Sequence, residues 1–273
     1  MNELLMAGLT DPGKIRPENE DCIAAKPEIG LAVVADGMGG HQAGEVASSM
    51  AVDLITRYFL DAFSKSRDGG KDAENDTSLE VKITNEAIQL ANSAIYEVAH
   101  ARPDCAGMGS TIVVTVFYED KICVGHVGDS RLYRFRMGIL EQMTEDHSVV
   151  QELLNRGLVS PDEAHTTIGK NLVTRALGVD PTVEPDVCEE TLMDDDIYLL
   201  CSDGLNEVLA DGDIELILTE SPRDLEHAVR QMVAMANERG GPDNISVILV
   251  RTGESFTRSQ KAMEELQETM KQV

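Results

Sequence analysis

The sequence predicts an α+β layered domain, with hairpin-linked antiparallel strands covered by helices that each have a single apolar face. Two patterns carry this prediction. Six short segments rich in Val and Ile are bounded by Gly, Asp or Asn, as strands are. Three longer segments repeat apolar residues at helical spacing along one side only, so each covers a sheet and does not cross a core. Composition adds a third constraint: Trp is absent and aromatics make up 4%, so the core must be aliphatic.

In chain order, the predicted strands are Leu31–Asp36, Thr111–Tyr118, Lys121–Val127, Arg131–Arg136, Ile197–Ser202 and Ile245–Arg251. Glu119-Asp120 and Met137-Gly138 read as the tight turns of consecutive hairpins. The first helical stripe is Val46, Met50, Ala51, Leu54, Ile55 and Tyr58. The second is Ile83, Ala87, Leu90, Ala91, Ala94 and Val98, and the third is Leu225, Val229, Met232, Val233 and Ala236. Ser64–Ser78 is polar and reads as an exposed loop between helices. The strand pattern stops at Gly253, where Met263, Leu266, Met270 and Val273 recur at helical spacing in a charged tail. One domain over 1–252 followed by a helical tail over 253–273 is the expected organisation.

The formal charge of −26 repels nucleic-acid phosphates and anionic lipid, which removes both as expected partners. Cys22, Cys105, Cys123, Cys188 and Cys201 are odd in number and scattered, which fits a reducing compartment. None has Arg six positions on, so the Cys-x5-Arg loop of cysteine phosphatases is missing. The opening Met1-Asn2-Glu3-Leu4-Leu5-Met6 has no secretory pattern, and no apolar stretch is long enough to cross a bilayer. A cytoplasmic, monomeric protein is expected.

Four motifs share one design, an apolar segment adjoining an Asp in a tight polar turn. They are Val33-Val34-Ala35-Asp36-Gly37, Val127-Gly128-Asp129-Ser130, Leu200-Cys201-Ser202-Asp203-Gly204 and Gly241-Pro242-Asp243-Asn244, the last leading into Ile245–Val250. A lone Asp of this kind is usually a turn former. Four on neighbouring strands would repel one another, and divalent cations relieve such crowding. The candidate ligands are all oxygens, with no His-Glu-x-x-His or Cys/His cluster, so Mg²⁺ or Mn²⁺ is favoured over Zn²⁺. Two such ions about 4 Å apart would activate a water for in-line attack on phosphorus. Near the N-terminus, Arg16 stands beside Glu18, Glu20 and Asp21, and its guanidinium fork suits phosphate oxygens.

Eight motifs in order carry a resemblance to a known family: Arg16-x-x-Asn19-Glu20-Asp21, Asp36-Gly37-Met38-Gly39-Gly40-His41, Gly109-Ser110-Thr111, Val127-Gly128-Asp129-Ser130-Arg131, Thr144-x-Asp146-His147-Ser148, Thr174-Arg175-Ala176-Leu177-Gly178, Ser202-Asp203-Gly204-Leu205 and Asp243-Asn244-Ile245-Ser246. The sequence resembles the metal-dependent, type-2C serine/threonine protein phosphatases in their compact bacterial form. The resemblance implies an α+β four-layer α-β-β-α sandwich of two antiparallel sheets flanked by helices, with metals in a cleft at one end. It implies that Asp36 bridges two core Mn²⁺ or Mg²⁺ ions, Gly37 gives one a carbonyl, and Asp203 and Asp243 bind the other. It further implies that Glu20 and Asp21 hold coordinated waters, Arg16 takes the substrate phosphate, and Asp129 with Asp203 binds a weaker third ion. Val149–Asn171 falls where the family carries a mobile flap. The implied partners are phosphorylated proteins and an opposing Ser/Thr kinase.

One departure bears on mechanism: Met38 stands where many eukaryotic members carry a His thought to protonate the leaving group. His41, five residues beyond Asp36, is the histidine placed by sequence to reach the cleft mouth, and the competing reading is that it caps or packs on the helix starting near Gly44. Two rival functions remain at this level. A metal-holding pseudophosphatase would be expected to lose Asp36, Asp203 or Asp243, and all are present. A hydrolase of nucleotides or other small phosphoesters would fit a phosphate-binding loop, yet Glu45 and Val46 follow Gly39 to Gly44 where Lys and Ser/Thr are needed.

Overall fold

The computed structural model describes residues 4–40, 43–65, 78–160, 163 and 172–253. The tail over 254–273, most of the polar loop after Lys65 and much of the expected flap after Ser160 lie outside the described residues. The strands are β1 (Leu5–Asp11), β2 (Asp21–Lys26), β3 (Leu31–Met38), β4 (Gly109–Ser110), β5 (Ile112–Tyr118), β6 (Lys121–Val127), β7 (Arg131–Arg136), β8 (Ile139–Gln142), β9 (Asp186–Thr191), β10 (Ile197–Cys201) and β11 (Ile245–Arg251). The helices are α1 (Ala43–Lys65), α2 (Leu79–Ala101), α3 (Val149–Asn155), α4 (Asp203–Asn206), α5 (Asp211–Glu220) and α6 (Leu225–Glu238).

Two antiparallel sheets form, one in the order β1-β11-β10-β7-β8, the other β2-β3-β5-β6-β9 with β4 paired to β3. All six strands read from sequence are interior strands. Of the five not read, β1, β2, β8 and β9 are the four edges, and β4 is a two-residue strand paired to β3. The reason is physical: apart from β7, the interior strands are buried on both faces and read as largely apolar runs, whereas an edge is half exposed and gains its order from pairing. Both predicted hairpin turns are present, with Glu119 and Met137 at positive φ followed by Asp120 and Gly138.

Three apolar clusters divide the molecule into four layers. Leu31, Val33 and Ala35 of β3 face α1 and α2, while Ala32 and Val34 face the other sheet. Between the sheets, Val113, Phe117, Leu132, Tyr198, Leu200 and Ile248 interlock, with the rings of Phe117 and Tyr198 edge-on at 5.3 Å. On the far side α5 and α6 cover Leu199, Val247 and Leu249. The third helical stripe is buried throughout, as read from sequence.

The other two stripes are rotated from the sequence reading. On α2, Leu90 is 45% exposed and the buried face runs through Ile83, Thr84, Ala87, Ile88, Ala91, Asn92 and Ile95. Two polar residues lie in that face and both have tertiary partners. Asn92 donates to the Asp180 carbonyl and accepts from the Gly178 N–H, and Thr84 contacts the Cys123 thiol. Hydropathy alone cannot anticipate partners from distant segments, so it turns the stripe toward Leu90. On α1 the deepest residues are likewise Ala47, Ala51, Ile55 and Phe59, and Val46, Met50 and Leu54 pack at the margin. Ile95→Ala should therefore cost about 2–4 kcal/mol in urea unfolding, and Leu90→Ala no more than about 0.5 kcal/mol. The reverse order would mean that α2 packs through the face read from hydropathy.

Candidate metal centre

Side-chain alternation along the strands builds the site. Residues two apart share a face. Continuing the inter-sheet series Val34, Val113, Leu200 and Ile248 toward one end of the sandwich gives Asp36, Thr111, Ser202 and Ser246. The inner rows of β1 and β2 reach Thr10 and Asp21 in the same way. The inter-sheet core thus ends in a polar plug whose members bond to one another. Ser202 Oγ donates to Asp21 Oδ2 at 2.7 Å, and Ser246 N–H donates to Ser202 Oγ at 3.0 Å. Thr111 Oγ1 accepts the Asp36 N–H at 3.1 Å and shares a hydrogen with Ser130 Oγ at 2.7 Å.

Asp36 lies opposite Asp21 in the β2–β3 register. Gly37 follows because nothing larger fits: an added Cβ would stand 2.1 Å from the Gly44 carbonyl oxygen and 2.6 Å from that of Glu20. The N-terminal loop is held over the plug by Asn244, whose side-chain amide donates to the carbonyls of Pro12 and Glu18 and accepts the Glu20 N–H. This clasp brings Glu20 and Arg16 to the rim. Arg16 Nη2 bonds Asp243 Oδ2 at 2.7 Å and is half exposed.

The result is a cleft of about 230 Å³ with Asp36, Asp129, Asp203 and Asp243 around it and Arg16, Glu20 and Gly37 on its wall. Asp21 stands behind Asp36 and is buried. The structure thus gathers Arg16, Glu20, Asp21, Asp36, Gly37, Asp129, Asp203 and Asp243 at one place. His41 lies outside the described residues. Sequence reading gave no role to Asn244, Ser202 or Thr111, although the last two continue an apolar alternation as polar residues, which is a usable signal.

Burial and mutual repulsion push the carboxyls of Glu20, Asp21, Asp36, Asp129 and Asp203 toward the protonated form. Asp36 and Asp203 are held well above the usual carboxylate range, first by burial and then by neighbouring aspartates. Burial raises Asp21 and Asp129 to about 6, and it raises Glu20 against the opposing pull of Arg16. Glu20 Oε1, Asp21 Oδ1 and Asp203 Oδ1 are buried without a hydrogen-bond partner. Orphaned acceptor oxygens converging on a polar cleft fit hard divalent cations and the water around them.

Such a sandwich, with an all-oxygen anionic cleft at one end, defines the class of protein. The sequence profile of the protein phosphatase 2C family matches residues 18–250, and the chain belongs to that family. A serine/threonine phosphatase, stp, of Listeria innocua is 39% identical over 244 residues, covering 88% of this chain and 93% of that protein. The serine/threonine protein phosphatase PstP of Mycobacterium tuberculosis is 37% identical over 246 residues, covering 90% of this chain and 44% of that one. A crystal structure of the PstP catalytic domain in complex with two manganese ions superposes with a TM-score of 0.79 at 33% identity, covering 93% of this chain and all of that one.

A carboxyl raised by burial favours the fold below its unfolded value and weakens it as pH rises through the native value. For Asp129 that loss falls between about pH 4 and 6. In the metal-free chain, Asp129→Asn should therefore stabilise by about 2 kcal/mol at pH 7.5 and by far less at pH 4.5. If Asp129 holds a cation, added Mn²⁺ should shrink the gain. Thermal melts at both pH values, with and without metal, check this, and an equal gain at both would show that Asp129 is not an ionised, buried group.

Proposed function

We propose that this chain is a metal-dependent protein serine/threonine phosphatase that hydrolyses phosphoserine and phosphothreonine esters in the carboxylate cleft. The observation that supports this most is the convergence of Asp36, Asp129, Asp203 and Asp243 on one cleft with Arg16 at its mouth, in a chain of the protein phosphatase 2C family. Asp36, the Gly37 carbonyl, Asp203 and Asp243 would hold two Mn²⁺ or Mg²⁺ ions, with Asp36 serving both. Asp129 with Asp203 would hold a third, more weakly. When bound, the ions lower the pKa of a water and offset the charge on the phosphoryl oxygens.

The protein's own groups do the positioning. The Asp36 backbone is fixed on both sides, its N–H to Thr111 Oγ1 and its carbonyl by the Thr111 N–H and Ser110 Oγ. The unpartnered oxygens of Glu20 and Asp21 are free to accept hydrogens from water held in the cleft. Arg16 exchanges Asp243 for the substrate phosphate, whose oxygens match its fork in the same way. The rival readings, a non-catalytic relative or a hydrolase of small phosphoesters, are less favoured, because no acidic position is lost and the named relatives are serine/threonine phosphatases. Action as a monomer against a Ser/Thr kinase in the cytoplasm completes the reading. Five free cysteines support a reducing compartment, and among the described residues no helix is long and apolar enough to cross a membrane.

Asp→Asn at position 36, 203 or 243 should lower kcat on a phosphopeptide with Mn²⁺ by at least about a thousandfold while the chain stays folded. Activity within tenfold of the parent would remove that residue from the metal set. Arg16→Ala should raise KM and lower kcat with metal stoichiometry unchanged by calorimetry, and Arg16→Lys should rescue poorly, since an ammonium lacks the fork. Loss of Mn²⁺ binding in Arg16→Ala would instead make Arg16 a support for Asp243.

A further inference from the structure

Beside the cleft lies a group that the chemistry above does not use: His126 on β6, His147 in the turn before α3, and Asp186 at the start of β9. One ligand atom from each falls within 4.8 Å of the others. The group is poorly built for a cation. The two imidazoles are stacked, centroids 4.5 Å apart and planes 26° from parallel, so their in-plane lone pairs run side by side instead of converging. Asp186 is already paired with Arg175, whose Nη1 donates to Oδ1 at 2.8 Å.

The hydrogen bonds assign a different task. His147 Nδ1 accepts the backbone N–H of Gly128 at 3.1 Å. An amide can only donate, so Nδ1 is bare and the ring hydrogen sits on Nε2, which donates to Asp186 Oδ2 at 3.3 Å. The His147 main chain grips the same glycine, its N–H donating to the Gly128 carbonyl at 2.9 Å, while its own carbonyl accepts the Thr174 N–H at 2.7 Å. Burial and the neighbouring His126 hold His147 to a pKa of about 4, which keeps the ring neutral and Nδ1 able to accept.

Gly128 is the residue before Asp129. Its φ of +107° turns the chain sharply out of β6, and an added Cβ would stand 2.6 Å from Thr111 Cβ. On the other side of Asp129, Ser130 is tied to Thr111. Asp129 is thus suspended between two clamps, one to Thr111, which in turn bonds the Asp36 backbone, and one to His147.

We propose that His147, oriented by Asp186, is a positioning residue that sets the cleft-facing carboxylate of Asp129, and that the Arg175–Asp186–His147–Gly128 chain of hydrogen bonds links this carboxylate to the 172–175 segment. The inference rests on reading Asp129 as a ligand of the weaker ion. Losing a direct hydrogen-bond partner of a ligand typically lowers metal affinity about 10- to 100-fold, and His147, acting through the Gly128 backbone, is expected at the lower end of that range.

Asparagine and glutamine separate the two ring nitrogens. His147→Asn keeps an acceptor where Nδ1 stands, whereas His147→Gln places its polar atoms near Nε2 and leaves the Gly128 N–H unpaired. In the full chain, His147→Gln should raise the Mn²⁺ concentration for half-maximal phosphopeptide turnover at least about tenfold, and His147→Asn should stay within about threefold of the parent. A second readout needs no metal. In the metal-free parent, ¹⁵N spectra should show His147 Nδ1 unprotonated and Nε2 protonated, and Gly128 amide exchange should be slow in the parent and in His147→Asn. Should His147→Gln fail to fold, those parent spectra decide, and the opposite tautomer overturns the proposal. Asp129→Ala is the control. If it leaves the Mn²⁺ dependence unchanged, the ligand reading of Asp129 falls. If it shifts that dependence while Asn and Gln at 147 behave alike, the positioning inference falls and the ligand reading stands.

Discussion

Asp21, Asp36, Asp129 and Asp203 crowd the end of a core that is otherwise aliphatic, with Asp243 at their rim, and their withdrawal from water is the constraint on which the rest of the structure depends. Carboxylates this close and this dry repel one another, which raises the proton affinity of Asp21, Asp36, Asp129 and Asp203 and favours cations among them. A fold that tolerates such a cluster must fix every backbone around it by other means. The hydroxyls of Thr111, Ser130, Ser202 and Ser246 do this, each bonded to a neighbour in the plug, that of Ser246 to Thr10.

The sandwich suits this task because its two inner faces close on each other. A strand buried on both faces can present a polar side chain to the cleft only where it leaves the core. The strands therefore deliver their functional residues to a common end without disturbing the packing of Phe117, Leu132 and Tyr198. Loops complete the site from outside. Asn244 draws the 12–20 segment over the plug, and the tight approach of Gly37 to Gly44 and Glu20 seats the start of α1 against it.

Charge acts at two scales. The chain as a whole carries −26, which attracts cations toward the surface but opposes an anionic substrate. Arg16, half exposed and paired to Asp243 at the mouth of the cleft, gives a phosphate a local partner that the global field does not. Further from the cleft, half-buried Arg131 clasps Asp146 through two nitrogens and fixes the turn that carries His147. The support of Asp129 thus extends well beyond its own loop.

Sequence alone determined the interior strands, the hairpin turns, the α6 stripe and the identity of the acidic residues that converge. These depend on local pattern, on a run of β-branched residues, a positive-φ turn, or Asp next to Gly at a strand end. Tertiary structure decided what pattern cannot encode. The edge strands β1, β2, β8 and β9 exist through their partners, and the buried face of α2 is set by Asn92 and Thr84 meeting segments far along the chain. His126, His147 and Asp186 are up to 60 residues apart in sequence; the register of β6 with β9 sets His126 opposite Asp186, and the hydrogen bonds of Glu145 to His126 and of His147 to Gly128 bring in the third. An aspartate's chemical type is written in the chain. Its ionisation, its neighbours and the clamp that aims it come from burial, which is a property of the fold.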